Sequence, residues 1–241
     1  ARGARLTPAG QRFVRSIEQA LGTIARAAEQ WRPHRGVHTL RISVVPSFAR
    51  LWLLPRLAAL QGTPPDLFLD VTTDHHVVDL RDGESDVAVR YGAGTWPDLQ
   101  ATLLFREQLV PVAAPALAAR LGRNVAPKAI LQQPLLHDSD ASQWRSWFAE
   151  AGIAYRPRVL DRRFEDYDLV LEAAAAGVAV ALLRLPLAAA WLDTGRLRCI
   201  STRVLDNPSA HYIVHRRGDL RAQVQHLVAR LLAQAPAPSR A

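Results

Sequence analysis

Apolar residues near the start of the chain recur at spacings of three and four: Phe13, Ile17, Ala20, Leu21, Ile24, Ala27, Ala28 and Trp31. That period places them on one stripe of a helix. Thr7 offers a capping hydroxyl, and Pro8 suits the first helical position because its missing amide proton would be unpaired there. Pro33 stops the run. The helix has no room to fold back before the next element, so its apolar stripe needs another surface. The pattern predicts a dimerisation helix with Phe13, Ile17, Leu21 and Ile24 at the seam. Packing on its own domain is the competing arrangement.

From Val37 the pattern becomes one of strands alternating with helices. Residues 39–45, 67–73 and 86–91 read as strands, residues 49–60 as a helix that Pro55 must kink, and residues 77–82 as a short helix ended by Gly83. A longer extended stretch, 101–113, reads as a crossing between lobes, and a short helix follows at 115–121. The second half repeats the theme. Strands are expected at 135–137, 158–160, 178–183 and 196–200, and helices at 142–151, 166–176 and 186–192. Residues 211–215 cross back, and 220–232 form a terminal helix. Such alternation predicts an α/β fold with largely parallel sheets, arranged as two lobes around a cleft.

Composition narrows the partners. The chain has 241 residues, 49% of them hydrophobic and 22% charged, enough apolar material for a buried core. Net charge is +8, which favours an anionic partner. Lys128 is the only lysine, and the arginines are scattered, as biased codon usage would leave them. Cys199 is the single cysteine, so no intrachain disulfide or Cys-based zinc site can form; its apolar neighbours predict a buried strand position. No apolar run reaches membrane-spanning length, and the first residues do not resemble a secretory signal. The expected location is cytoplasmic. The absence of methionine points to lost upstream residues.

Candidate chemistry collects at strand ends, because ligands in open α/β sheets sit beyond the carboxyl ends of strands. Ser47, followed by Phe48, lies between a strand end and a helix start, where a hydroxyl and free amides can hold a carboxylate; a simple N-cap is the alternative. Thr73 and the pair Tyr91-Gly92 end strands of the first lobe. His137 ends a strand of the second lobe, and Phe164 and Asp166 lie just before a helix. Asp74 with His75-His76 lacks a third convergent ligand, and His211 and His215 lie about 13 Å apart on one strand, so no metal is expected. Trp144, Trp147 and Phe148 share a helical face and read as core. Neither a nucleophile elbow nor a phosphate loop is present, so neither a catalytic residue nor a cofactor is assigned.

Three tracts in order resemble LysR-type transcription regulators: residues 5–10 (RLTPAG), 41–57 (RISVVPSFARLWLLPRL) and 79–94 (DLRDGESDVAVRYGAG) followed by Trp96. Trp144 and Trp147, Ala151-Gly152 and the run AAAAGV at 173–178 extend the likeness. The pattern is most similar to the subgroup of the glycine-cleavage activator and the β-lactamase regulator. The resemblance implies a type 2 periplasmic-binding-protein-like effector domain preceded by a long linker helix. Residues 1–36 would hold the end of the DNA-binding wing and the linker, and 37–241 the effector domain. Within it, lobe I would span about 37–113 and 212–235, and lobe II about 114–211. It implies a small-molecule effector in the cleft, in a position matching Ser47. It also implies promoter DNA bound through an N-terminal head lying upstream, and a homodimer or homotetramer. A solute-binding protein of a transporter, which shares the two-lobe fold, is the alternative; an enzyme on that fold would need a catalytic set that is not found.

Overall fold

The computed structural model describes residues 38–62, 66–75, 80 and 85–236, together with 7, 10, 13, 14, 16, 17, 20–22 and 24. Contacts divide the chain into two units, Ala1–His38 and Thr39–Ala241. In the first, every described position from 10 to 24 is helical; this is α1. The Thr7 hydroxyl accepts from the Gly10 N–H at 3.1 Å, closing the predicted cap. Phe13, Ile17, Leu21 and Ile24 are 41 to 67% exposed. Trp31 and Pro33 lie outside the described residues, as does the helix expected at 77–82 apart from the buried Leu80.

The second unit is built on one sheet. Alternation in β1 (His38–Val44) buries Leu40, Ile42 and Val44, and the strand pairs in parallel with β3 (Val87–Gly92). At the edge beside β1 lies β2 (Leu67–Thr73). The two long strands are β4 (Leu99–Ala113) and β9 (Leu205–Arg216), which run antiparallel to each other. β9 is antiparallel to β3 as well, while β4 is antiparallel to β7 (Ala181–Leu185) and β8 (Arg198–Cys199). The order is β2-β1-β3-β9-β4-β7, with β8 on β4. A separate parallel pair, β5 (Leu136–Asp138) and β6 (Arg162–Phe164), is tied to the start of β7 by a bridge from Leu135 to Val180. The expectation of largely parallel sheets is therefore corrected. A chain that crosses to the second lobe on β4 and returns on β9 must run those strands in opposite directions, and the shorter strands pair onto them.

After β1 the chain enters a continuous helical run: α2 (Pro46–Phe48), a π-helical turn over Ala49–Leu53, a 3-10 turn over Leu54–Arg56, and α3 (Leu57–Gln61). The Leu54 N–H reaches back five residues to the Ala49 carbonyl. The wider turn absorbs Pro55, which has no proton to give and whose ring would crowd a regular helix. The run buries Phe48, Trp52, Leu53 and Leu60. These pack with β1, β3, the terminal helix α9 (Ala222–Ala233) and α7 (Tyr167–Ala175) in one apolar cluster. A second cluster gathers Trp144, Trp147 and Phe148 of α6 (Ser142–Ala149) with Tyr155, Leu109 and Leu182. Trp144 stacks on Phe148 at 5.4 Å and meets Trp147 edge-on at 5.8 Å, so the aromatic triplet is core. Cys199 is exposed, against the expectation of a buried strand residue, because Leu197 and Ile200 take the core positions around it.

Residues 158–160 form no strand; the strand comes later, as β6. Asp161 is the cause. Its buried carboxylate accepts from the Arg158 N–H at 2.8 Å, the Arg158 guanidinium at 2.8 Å, the Tyr155 hydroxyl at 2.9 Å and the Leu135 N–H at 3.0 Å. These bonds turn the chain where ladder bonds would have extended it. Burial works to raise the Asp161 carboxyl, but the bonds from Arg158, Tyr155 and Leu135 outweigh it and hold the group below the usual carboxylate range. A depressed carboxylate stabilises the fold above the ordinary aspartate pKa and loses that contribution as pH falls through the folded value. Asp161→Asn should cost about 3 kcal/mol in urea unfolding at neutral pH. Its gap from the parent should close on acidification below about pH 4. A constant gap across that range would contradict the assignment.

Candidate functional site

A cavity of about 400 Å³ opens between the two lobes. Val45 and Ser47 enter it from the end of β1, Tyr91 from the end of β3, and Asp138, Ser139 and Asp140 from the end of β5. Glu165 and Tyr167 follow β6, while Ser142, Gln143 and Ser146 come from α6. Arg184 on β7 forms the back wall. The placement obeys the rule of strand carboxyl ends.

The floor comes from a mismatch between the crossing strands. Arg106 pairs with Ala210 and Gln108 with Asp206, so two steps along β4 face four along β9. Pro208 has no N–H for the ladder, and Asn207, Pro208 and Ser209, standing opposite the single residue Glu107, bulge into the cavity. Opposite the bulge sits Glu107, fully buried; its Oε2 accepts from Asn207 Nδ2 at 3.0 Å. Its Oε1 lies 3.3 Å from His211 Nδ1, without hydrogen-bond geometry for either atom.

Arg184 organises these groups. Its Nη2 donates to both oxygens of Asp138, at 2.9 and 2.7 Å, and its Nε lies 4.0 Å from Glu107 Oε2. The guanidinium lies over the rings of Tyr91 and Tyr167, at 4.8 and 4.2 Å from their centroids. The Gln143 amide oxygen, turned to the donors around it, accepts from Arg184 Nη2 at 2.9 Å and from the Tyr91 hydroxyl at 3.1 Å. Asn207 Nδ2 also donates to the Tyr91 hydroxyl, at 2.6 Å. Tyr167 accepts from the Arg184 N–H at 2.7 Å and donates to the Leu182 carbonyl. Burial alone would lower the Arg184 guanidinium, but the nearby Asp138, then Tyr91, Glu107 and Tyr167, raise it above its ordinary value. Burial pushes the Tyr91 and Tyr167 hydroxyls up. Two further pairs join the lobes: His75 Nε2 meets Asp166 Oδ1 at 2.7 Å, and Arg50 bonds Asp168.

Residues 34–236 match the model of the LysR substrate binding domain. The chain belongs to this family. The glycine cleavage system transcriptional activator of Escherichia coli (strain K12) is 29% identical, over 88% of this chain and 70% of its own length. The regulator TrpI of Pseudomonas aeruginosa is 33% identical, over 81% of this chain and 68% of its own length. The effector domain of the transcriptional regulator AmpR of Pseudomonas aeruginosa has a TM-score of 0.73 at 29% identity, covering 82% of this chain and 95% of that one. The two-lobe LysR effector fold is thus the fold of this chain, and its relatives are regulators of transcription.

Of the residues singled out from the sequence of this LysR-family chain, Ser47 and Tyr91 line the cavity. Phe48 does not; it is fully buried, stacked on Trp52 at 5.0 Å and on the His211 ring at 5.2 Å. Gly92 lies against Trp96, and Thr73 is exposed at the end of β2. His137 faces away from the main cavity toward a small void beside Trp144, where burial lowers its pKa. Phe164 packs on the apolar cluster, and Asp166 spends its carboxylate on His75. Among the described residues no group of three metal-ligating side chains is found. The sequence reading passed over Asp138, Gln143, Arg184, Asn207 and Ser209. The Asn207-Pro208 dipeptide, which lies inside the return strand β9, is a turn signal that points to the last two.

Replacing Arg184 with Leu should cost about 3–5 kcal/mol in chemical denaturation, because Glu107 and Asp138 lose their buried counter-charge. Adding Glu107→Gln to Arg184→Leu should recover about half of the loss. No recovery in the double variant would show that the network is not held by this charge.

Proposed function

We propose that this chain is the effector-sensing and dimerisation portion of a LysR-type DNA-binding transcription regulator. A small molecule held between the lobes would shift their closure, and α1 would pass that shift to a DNA-binding head. The cavity at the strand ends carries this reading, since it is walled by side chains of both lobes and floored by the strands that join them. The inter-lobe pairs His75–Asp166 and Arg50–Asp168 support it, because their formation depends on how far the lobes close. Regulation rather than catalysis is the role, in keeping with the regulatory names of the relatives. Those names also weigh against the solute-binding alternative.

The partners follow from the same reading. Promoter DNA would be bound through an N-terminal head, in the cytoplasm. A homodimer or homotetramer would form in part through the exposed stripe of Phe13, Ile17, Leu21 and Ile24. Among the described residues no helix is long and apolar enough to cross a membrane. The chain's net charge of +8 favours an anionic effector, but the charges nearest the ligand decide, and the cavity lining carries three carboxylates against Arg184.

Two measurements test the proposal. A metabolite library should contain a compound that raises the melting temperature, and Ser209→Trp, which fills the cavity, should abolish that shift. Stabilisation that persists in Ser209→Trp would place binding elsewhere. Changing Ile17 and Ile24 together to Asp should weaken self-association in sedimentation by burying charge in an apolar seam. Undiminished association would remove α1 from the interface.

A further inference from the structure

A chain with a net charge of +8 holds an acidic cleft. Asp138, Asp140 and Glu165 line it, and Arg184 is the only arginine or lysine that does so among the described residues. That guanidinium is already committed. It holds both oxygens of Asp138 and lies against the rings of Tyr91 and Tyr167. His75 is likewise engaged by Asp166. A ligand's carboxylate or phosphate would find no uncommitted lysine or arginine on these walls.

The negative groups, in contrast, have capacity left. Asp140 is exposed at the mouth, and its Oδ1 accepts from the Ser142 N–H at 2.7 Å. The bonds from Ser142 hold its carboxyl below the usual range, so it is ionised at neutral pH. Glu165 is exposed beside the same opening and makes no ion pair among the described residues. Behind the wall, Glu107 Oε1 and His211 Nδ1 face each other at 3.3 Å, so the buried carboxylate is turned to the histidine and the carboxylates left for a ligand are those at the mouth. Asp140 and Glu165 stand at one opening, within a Debye length of a ligand seated in the cleft, so their charges act on it together. Hydroxyls of Ser47, Ser146 and Ser209 line the cavity for the uncharged part of a ligand.

We infer that the effector is a small polar molecule bearing a protonated amine, which Asp140 and Glu165 recognise at the mouth of the cleft. The inference rests on the reading of the cleft as the effector site.

Two matched series of probes test it on the whole chain by calorimetry: L-alaninamide, L-alanine and L-lactate, and glucosamine, N-acetylglucosamine and glucuronate. Each series runs from net positive through neutral to net negative on closely related frames. The cation should bind about tenfold tighter than the anion in both series. Asp140→Asn combined with Glu165→Gln should level the series, and both positions are exposed enough to change without unfolding the chain. Tightest binding by the anion, an order that survives the double replacement, or silence from all six probes overturns the inference. Ser209→Trp separates it from the reading beneath. An anion-first order that Ser209→Trp abolishes defeats the amine and keeps the cleft, whereas binding that Ser209→Trp leaves intact defeats the cleft itself.

Discussion

The buried guanidinium of Arg184 is the point on which the second unit turns. It stands on β7 of one lobe, bonds Asp138 at the end of β5, faces Glu107 on the crossing strand β4, and stacks on Tyr91 from the other lobe. Taking such a charge from water is expensive, and only the surrounding carboxylates, amides and ring faces make it tolerable. Those same groups are the walls of the cavity. Structural integrity and ligand-facing chemistry therefore share one set of atoms. A change in how the lobes meet must alter the environment of Arg184, because its partners come from both.

A single sheet and a cleft are compatible because of how β4 and β9 are paired. An unbroken ladder would carry the sheet flat from one lobe to the other. Two irregularities prevent it, one between Leu103 and Phe105 and one between Arg106 and Gln108. Each bends the ribbon, and the second also leaves an open pocket at the bend. The helical run 46–61 and α7 then cover one face, their side chains merging into a cluster that includes Phe48, Trp52, Tyr167 and Leu171.

Much of this was legible beforehand, for identifiable reasons. Strand and helix positions followed from period, and the cleft's location followed from strand ends. The sheet's direction was not legible, because alternation along a chain says nothing about which strand lies beside which. Site residues were often named one position off. His137 was chosen where Asp138 faces the cavity, and Phe164 and Asp166 where Glu165 and Tyr167 do. His137 and Asp138 are successive residues of β5, and a pleated strand turns them to opposite faces; 165–167 lie past the end of β6, where no strand period tells which side chain enters the cavity. Arg184 was invisible for another reason. A lone arginine in an apolar strand has no local signature, and its partners are 46 and 77 residues away in sequence, at Asp138 and Glu107.

The bulge at Asn207 to Ser209 also bears on how such a domain can diversify. The floor of the hollow follows from a count of residues and one proline, while its walls are side chains of both lobes. Shape at the floor is thereby delegated to the main chain, and selectivity to the side chains around it, from Asn207 and Ser209 of the bulge to Gln143 of α6. Exchanging those side chains would retune what the hollow accepts while the scaffold's geometry stays put. One architecture can in this way be readdressed to new signals at exposed lining positions such as Asp140 and Glu165, while the buried Asn207 stays tied to Tyr91 and Glu107.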